Sequence, residues 1–117
     1  MIRNRKNVAS YVTKDGSAVW ELFHPGPSPA EGCSVAEACV RAGQRTERHV
    51  HPRSQEIYYV LEGAGTMRLG SDIFEVIPGD AVLIPPGTPH DFAAKGDALR
   101  ILCISSPPYA HGDTELL

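Results

Sequence analysis

An all-β domain, built as a barrel or sandwich of short antiparallel strands, is the fold class this sequence predicts, and three observations predict it. Its 117 residues include 11 glycines and 10 prolines, so residues that permit positive φ or remove a backbone donor break the chain every few positions. Between the breaks lie runs of about four to eight residues rich in Val, Ile, Leu and Tyr, which is strand length and strand composition. No stretch sustains a 3.6-residue apolar period over three turns. Little helix is expected.

In chain order the strand-like runs are Ala18–Phe23, Ser34–Val40, Ile57–Leu61, Thr66–Leu69, Ile73–Ile77, Ala81–Ile84 and Leu99–Ile104. The segment Val8–Phe23 brings apolar residues of its own ahead of the central runs. His24-Pro25-Gly26-Pro27-Ser28-Pro29 is a loop, because its alternating prolines fix φ and remove donors. Gly63-Ala64-Gly65 reads as a hairpin corner; the third glycine and following helix of a dinucleotide fingerprint are absent. After Pro85-Pro86-Gly87-Thr88-Pro89 a further strand opens at His90 and runs to Ala94. The tail from Ser106 to Leu117 is irregular, with a last turn expected at Thr114–Leu117. All of this fits one domain over residues 1–117, a length that can bury roughly two-thirds of its unfolded surface without disulfides.

Composition excludes several functions. The net charge is −3, with 42% hydrophobic and 21% charged residues, so neither wholesale disorder nor a basic nucleic-acid face is expected. The one basic cluster, Arg3-Asn4-Arg5-Lys6, reads as a solvated tail. No apolar run approaches the roughly 18 residues of a membrane span. Asn7 to Ser17 is too polar for the apolar core of a signal peptide, so a cytoplasmic location is expected. Cys33, Cys39 and Cys103 are odd in number and lack CxxC spacing, which argues against a disulfide framework or a zinc ribbon. Cys39 and Cys103 read as small buried hydrophobes.

The five histidines are unevenly placed. His49 and His51 sit at i and i+2, which on a strand puts both rings on one face with Cα atoms about 6.6 Å apart. Imidazoles so placed can converge on one ion with bonds of about 2.0–2.1 Å. Pro52-Arg53-Ser54-Gln55 then folds the chain back, setting Glu56 on a neighbouring strand opposite the pair. His90 opens its own strand and can bring a third imidazole from across a barrel. Three neutral nitrogens and one carboxylate make a first shell for a first-row divalent metal. His24 and His111 lie in Pro/Gly-rich loops without partners at ligand spacing. Asp91 alternates onto the strand face opposite His90 and reads as surface charge.

These residues carry a family resemblance. Gly43, five residues, His49-x-His51, four residues, Glu56, six residues and Gly63 resemble the first cupin motif. Gly79, five residues, Pro85-x-Gly87, two residues and His90 resemble the second. The motifs cover 43–63 and 79–94, flanked by N-terminal strands in 8–23 and the C-terminal tail 106–117. The resemblance implies a cupin-type jelly-roll barrel holding one divalent transition metal, Mn, Fe, Ni, Co or Zn, on His49, His51, Glu56 and His90. Ala94 stands where the family often has Asn, a position that is not a ligand in the family pattern. Two functions are compatible with the resemblance. One is a metal-dependent enzyme acting on a small molecule, of dioxygenase, isomerase or epimerase, decarboxylase or lyase type. The other is a non-catalytic barrel binding a sugar or organic acid.

Alternation places Tyr58 and Val60 inward with Glu56, and Phe92 inward with His90; Met67 can face the same cavity. Tyr58, Met67 and Phe92 are therefore the expected pocket residues. No second carboxylate or lysine stands at a readable spacing as a general base, leaving Tyr58 as the candidate for proton transfer and the catalytic residue unassigned. The expected partners are a small-molecule ligand and a second copy of the chain, since a short barrel has edge strands that need cover.

Overall fold

A computed structural model describes all residues from Met1 to Leu117. Eleven strands form two antiparallel sheets. They are β1 (Tyr11–Val12), β2 (Ala18–Phe23), β3 (Ser34–Val40), β4 (His49–Val50), β5 (Gln55–Glu62), β6 (Gly65–Leu69), β7 (Asp72–Val76), β8 (Ala81–Ile84), β9 (His90–Ala94), β10 (Leu99–Ser106) and β11 (Glu115–Leu116). One sheet has the order β1-β2-β3-β10-β5-β8 and the other β11-β4-β9-β6-β7. The expected runs at Ala18–Phe23, Ser34–Val40, Ala81–Ile84 and His90–Ala94 keep their boundaries; β5 and β10 extend by a few polar residues, which ladder hydrogen bonds retain in the sheet.

Inward residues change character along each strand. On β5 they run Glu56, Tyr58, Val60; on β9 His90, Phe92, Ala94; on β10 Ser105, Cys103, Ile101, Leu99. Register aligns these gradients, pairing Glu56 with Ser105, Tyr58 with Cys103 and Val60 with Ile101. One end of the interior is therefore polar. The other is an apolar cluster that includes Val60, Met67, Ile84, Phe92, Leu99 and Ile101. Each fully buried aliphatic or aromatic side chain there contributes about 1.5–3 kcal/mol, so the fold has an anchor independent of the polar end.

Gly63 marks the place where the chain leaves β5 for β6 in the opposite sheet, so this is a corner between sheets and not a hairpin. It has φ +82°, and a Cβ there would strike the Ala98 carbonyl. Only glycine fits.

Three local expectations are corrected. The last turn is a two-residue strand: a 3-10 turn at His111–Asp113 comes first, after which Glu115 pairs with Val50 and Leu116 with His49. Asp91 does face away from His90, but it is only 1% exposed. Arg68 on the paired strand covers it with a bidentate ion pair, and Arg45 lies 3.9 Å away. The basic N-terminal cluster is not simply solvated, because Arg5 pairs with Glu37 at 2.9 Å and lies over the Trp20 ring. An outward carboxylate or indole on a sheet gives a nearby guanidinium a partner that sequence spacing does not reveal.

Candidate metal centre

His49, His51, Glu56 and His90 are buried at the polar end, and their ligand atoms all lie within 4.8 Å of one another. Different elements deliver them. His49 on β4 is paired in register with His90 on β9, bringing the two ring centroids to 4.3 Å. His51 follows β4, held where its carbonyl accepts the Gly87 N–H at 2.9 Å. Glu56 reaches in from β5 on the opposite sheet. It faces the histidines across the interior instead of lying beside them on the next strand.

The hydrogen bonds behind the rings set their tautomers. His49 Nδ1 lies 2.8 Å from the Glu47 carbonyl and His90 Nδ1 2.9 Å from the Thr88 carbonyl. A carbonyl only accepts, so both Nδ1 atoms carry hydrogen. His51 Nδ1 lies 3.2 Å from Thr114 Oγ1, whose own hydrogen goes to the Ala110 carbonyl at 2.9 Å. Thr114 therefore accepts from His51. With Nδ1 occupied in all three rings, each neutral imidazole turns an Nε2 lone pair towards the same space. Such partners are the usual orienting groups of histidines that bind metals.

The Nε2 atoms have poor protein partners. His90 Nε2 is buried and makes no hydrogen bond. His51 Nε2 lies 2.8 Å from Glu56 Oε1, and His90 Nε2 lies 3.4 Å from the same oxygen. A lone pair and a carboxylate oxygen at 2.8 Å need a proton or a cation between them. The donor set of three imidazoles and one carboxylate suits a first-row divalent ion. The residues fit the metal that the sequence pattern implies.

Without an ion, protons take up part of that role. Burial opposes the charged form of Glu56, but the close approach of the His51 and His90 rings outweighs it, lowering its pKa to about 2. Burial also opposes charging His51, yet the Glu56 carboxylate overrides it and raises the pKa above the ordinary histidine value. His49 moves down, chiefly from burial and then from neighbouring His90. The three rings are not equivalent.

A small cavity of about 50 Å3, open to solvent on one side, leads to the centre. Tyr58 and Phe92 line it beside the ligands, and Tyr11, Glu21, Ala36 and Tyr109 contribute to the remaining wall. Its lining contains no Lys or Arg. Met67, expected at this cavity, is instead in the apolar cluster, 1% exposed; it pairs with Phe92 across β6–β9, and Phe92 takes the cavity side. Tyr58 donates to Glu56 Oε1 at 3.4 Å, and burial followed by the Glu56 charge raises its pKa well above the ordinary phenol value. The phenol keeps its proton in a hydrogen bond to Glu56. Burial likewise raises the Cys103 thiol, which stays protonated against the cavity.

His24 and His111 lie outside the cluster. His24 has its two ring nitrogens against the Pro25 and Tyr109 carbonyls, at 2.9 and 2.8 Å, tying its loop to the C-terminal segment. His111 Nδ1 is 3.1 Å from Tyr109 Oη. Sequence reasoning missed Thr114 and Asp15. Thr114 sits in a tail without periodicity, and Asp15 in a Lys-Asp-Gly turn where Asp is common for local reasons alone.

Two facing antiparallel sheets with three buried histidines and one carboxylate at the polar end of their interior define a recognisable class of protein. Residues 36–105 match the family described as "Cupin domain", and the chain belongs to that family. It is 50% identical over 111 residues to an uncharacterized protein of Methanocaldococcus jannaschii, spanning 94% of this chain and 89% of that one. It is 31% identical over 108 residues to the polyketide synthase CurC of Streptomyces cyaneus, spanning 87% of this chain and 70% of the other. Among solved structures, the polyketide cyclase RemF of Streptomyces resistomycificus matches with a TM-score of 0.80 and 27% identity, over 91% of this chain and 79% of that chain. No helix of the structure is long and apolar enough to cross a membrane.

Proposed function

We propose that this protein is a metal-dependent enzyme acting on an uncharged small molecule that carries hydroxyl or carbonyl oxygens. The observation that supports the reading is the pairing of a buried three-histidine, one-carboxylate centre with a cavity whose lining holds no Lys or Arg. A phosphorylated sugar would enter such a cavity with no Arg or Lys to meet its charge. Neutral oxygenated molecules meet hydroxyls and phenols from Ser34, Ser105, Tyr11 and Tyr109 instead. A divalent ion held by the four ligands would supply Lewis-acid polarisation of a substrate oxygen. Tyr58 holds its proton close to that point, and the apolar wall excludes water. The likeness to a polyketide synthase and a polyketide cyclase agrees with a substrate bearing carbonyl oxygens.

The test begins with elemental analysis of protein purified without a histidine tag, which should show about one divalent metal per chain. Calorimetry on the loaded protein should then detect neutral enols, diols and β-diketones but not sugar phosphates. Turnover of a neutral compound separates an enzyme from a barrel that only binds. A preference for phosphorylated ligands would overturn the substrate class.

We also propose that the chain forms a homodimer through the outer face of the six-stranded sheet. Leu83 on edge strand β8 is 56% exposed and Tyr59 on β5 is 42% exposed. Sedimentation should give twice the 12.6 kDa chain mass, and Leu83→Glu should return the protein to monomer. A wild-type monomer at high concentration would refute the proposal.

A further inference from the structure

The turn between β1 and β2 brings a second carboxylate to the centre. The turn closes when the Thr13 N–H donates to the Ser17 carbonyl and the Gly16 N–H to the Thr13 carbonyl, both at 3.0 Å. It is fastened on two sides. The Glu47 N–H, two residues before His49, donates to the Asp15 carbonyl at 2.8 Å. Lys14 Nζ reaches the His111 and Thr114 carbonyls at 2.7 and 3.0 Å. The segments that carry His49 and the partner of His51 thus hold the turn in place.

The two oxygens of Asp15 have different surroundings. Oδ1 accepts from Thr13 Oγ1 at 2.6 Å, Ser17 Oγ at 2.7 Å and the Ser17 N–H at 2.9 Å. Oδ2 stands 3.6 Å from His49 Nε2, an atom aimed at the centre, although the residue is only 8% exposed. Three donors on one oxygen fix the carboxylate's orientation. The other oxygen has no hydrogen-bond partner in the chain, and Asp15 lines the cavity, so Oδ2 is open to a donor supplied from that side.

We propose that Asp15 is a positioning carboxylate of the metal centre, with Oδ2 accepting a hydrogen bond from a hydroxyl group, water or substrate, on the cavity side of the ion. The inference rests on the metal-dependent reading above and deepens it. A divalent ion with three neutral imidazoles and Glu56 keeps one net positive charge, which Asp15 balances from outside the ligand set. Asp15 therefore selects the ligand. A neutral hydroxylated molecule gains a hydrogen bond to Oδ2, whereas an anionic chelator meets a like charge in a poorly screened site.

The experiment compares cobalt(II)-loaded wild type with Asp15→Asn, which is nearly isosteric and keeps an acceptor for Thr13 and Ser17. Cobalt affinity, measured by competition with a chromophoric chelator, should fall by about 10–100-fold, as for other groups that orient a metal site. The visible absorption of the bound cobalt should shift. Oxalate, a dianionic probe read through that absorption, should bind D15N at least about tenfold more tightly than wild type once the like charge is gone. A purely structural role for Asp15 would not produce that gain. Should D15N fail to fold, Asp15→Ser carries the same expectations. Cobalt binding by wild type, with affinity and oxalate binding unchanged in the variant, would overturn the role of Asp15 and leave the metal reading standing. No cobalt binding by wild type would overturn both.

Discussion

Replacing His51 with alanine is expected to reduce metal affinity by more than the roughly 10–100-fold typical of losing an outer partner, because it removes a donor atom itself. The double variant His51→Ala, His90→Ala should hold no stoichiometric metal, leaving only His49 and Glu56 of the four. His111→Ala should bind as wild type does, since that ring contacts Tyr109 at the cavity mouth and touches no ligand. A second consequence separates this expectation from a general loss of structure. In the metal-free protein His51 is the nearest cation for buried Glu56, at 2.8 Å, so H51A strands a carboxylate and should lower stability by about 1–3 kcal/mol. The paired change H51A with Glu56→Gln should recover part of that loss while remaining unable to bind metal. Elemental analysis and thermal melts on the same preparations check both parts. Stoichiometric metal in the double variant would place the ion elsewhere.

Chelation should lower the melting temperature strongly at pH 8 and weakly at pH 5. In the metal-free protein the pKa of Glu56 is lowered to about 2, so its contribution is present above the ordinary carboxylate range and is lost as pH falls towards 2. His51 is raised, so its contribution is full below about 6.5 and disappears as pH rises through its folded value. The proton-bridged site is thus strongest in mild acid. His49, lowered by burial, works the other way and loses stability as pH falls through its folded value. Metal binding requires neutral imidazoles, so its stabilisation grows as pH rises through the histidine range. At a free metal concentration about 100 times the Kd the gain is about 2.7 kcal/mol, or about 10 °C for a domain of this length. Below pH 5 the shift should shrink to about 3 °C or less, because protons compete for all three rings. Calorimetric melts with and without chelator at several pH values measure this, and a shift independent of pH would contradict it. The fold itself should survive chelation, since the apolar cluster lies at the other end of the interior.

The sequence by itself determined most of the strands and the four candidate ligands, because both depend on local order. A strand's inward face is set by its two-residue period, so His90, Phe92 and Ala94 point in together whatever surrounds them. Turn glycines and prolines mark where each period begins and ends, and four intact ligand positions framed by such turns are hard to explain otherwise. Tertiary structure decided matters that depend on which segments meet. Glu56 faces the histidines from the opposite sheet because of strand order, which no local period encodes. Asp91 lies on the expected face but is buried under Arg68, 23 residues away, because β6 and β9 happen to pair. Met67 and Phe92 share a face by register, and only the depth of packing separates core from cavity. Thr114 and Asp15 reach the centre from two segments far apart in the chain, joined there by Lys14. Local periodicity fixes the direction of a side chain, but the identity of its neighbour is a long-range property that exists only once the sheets have closed.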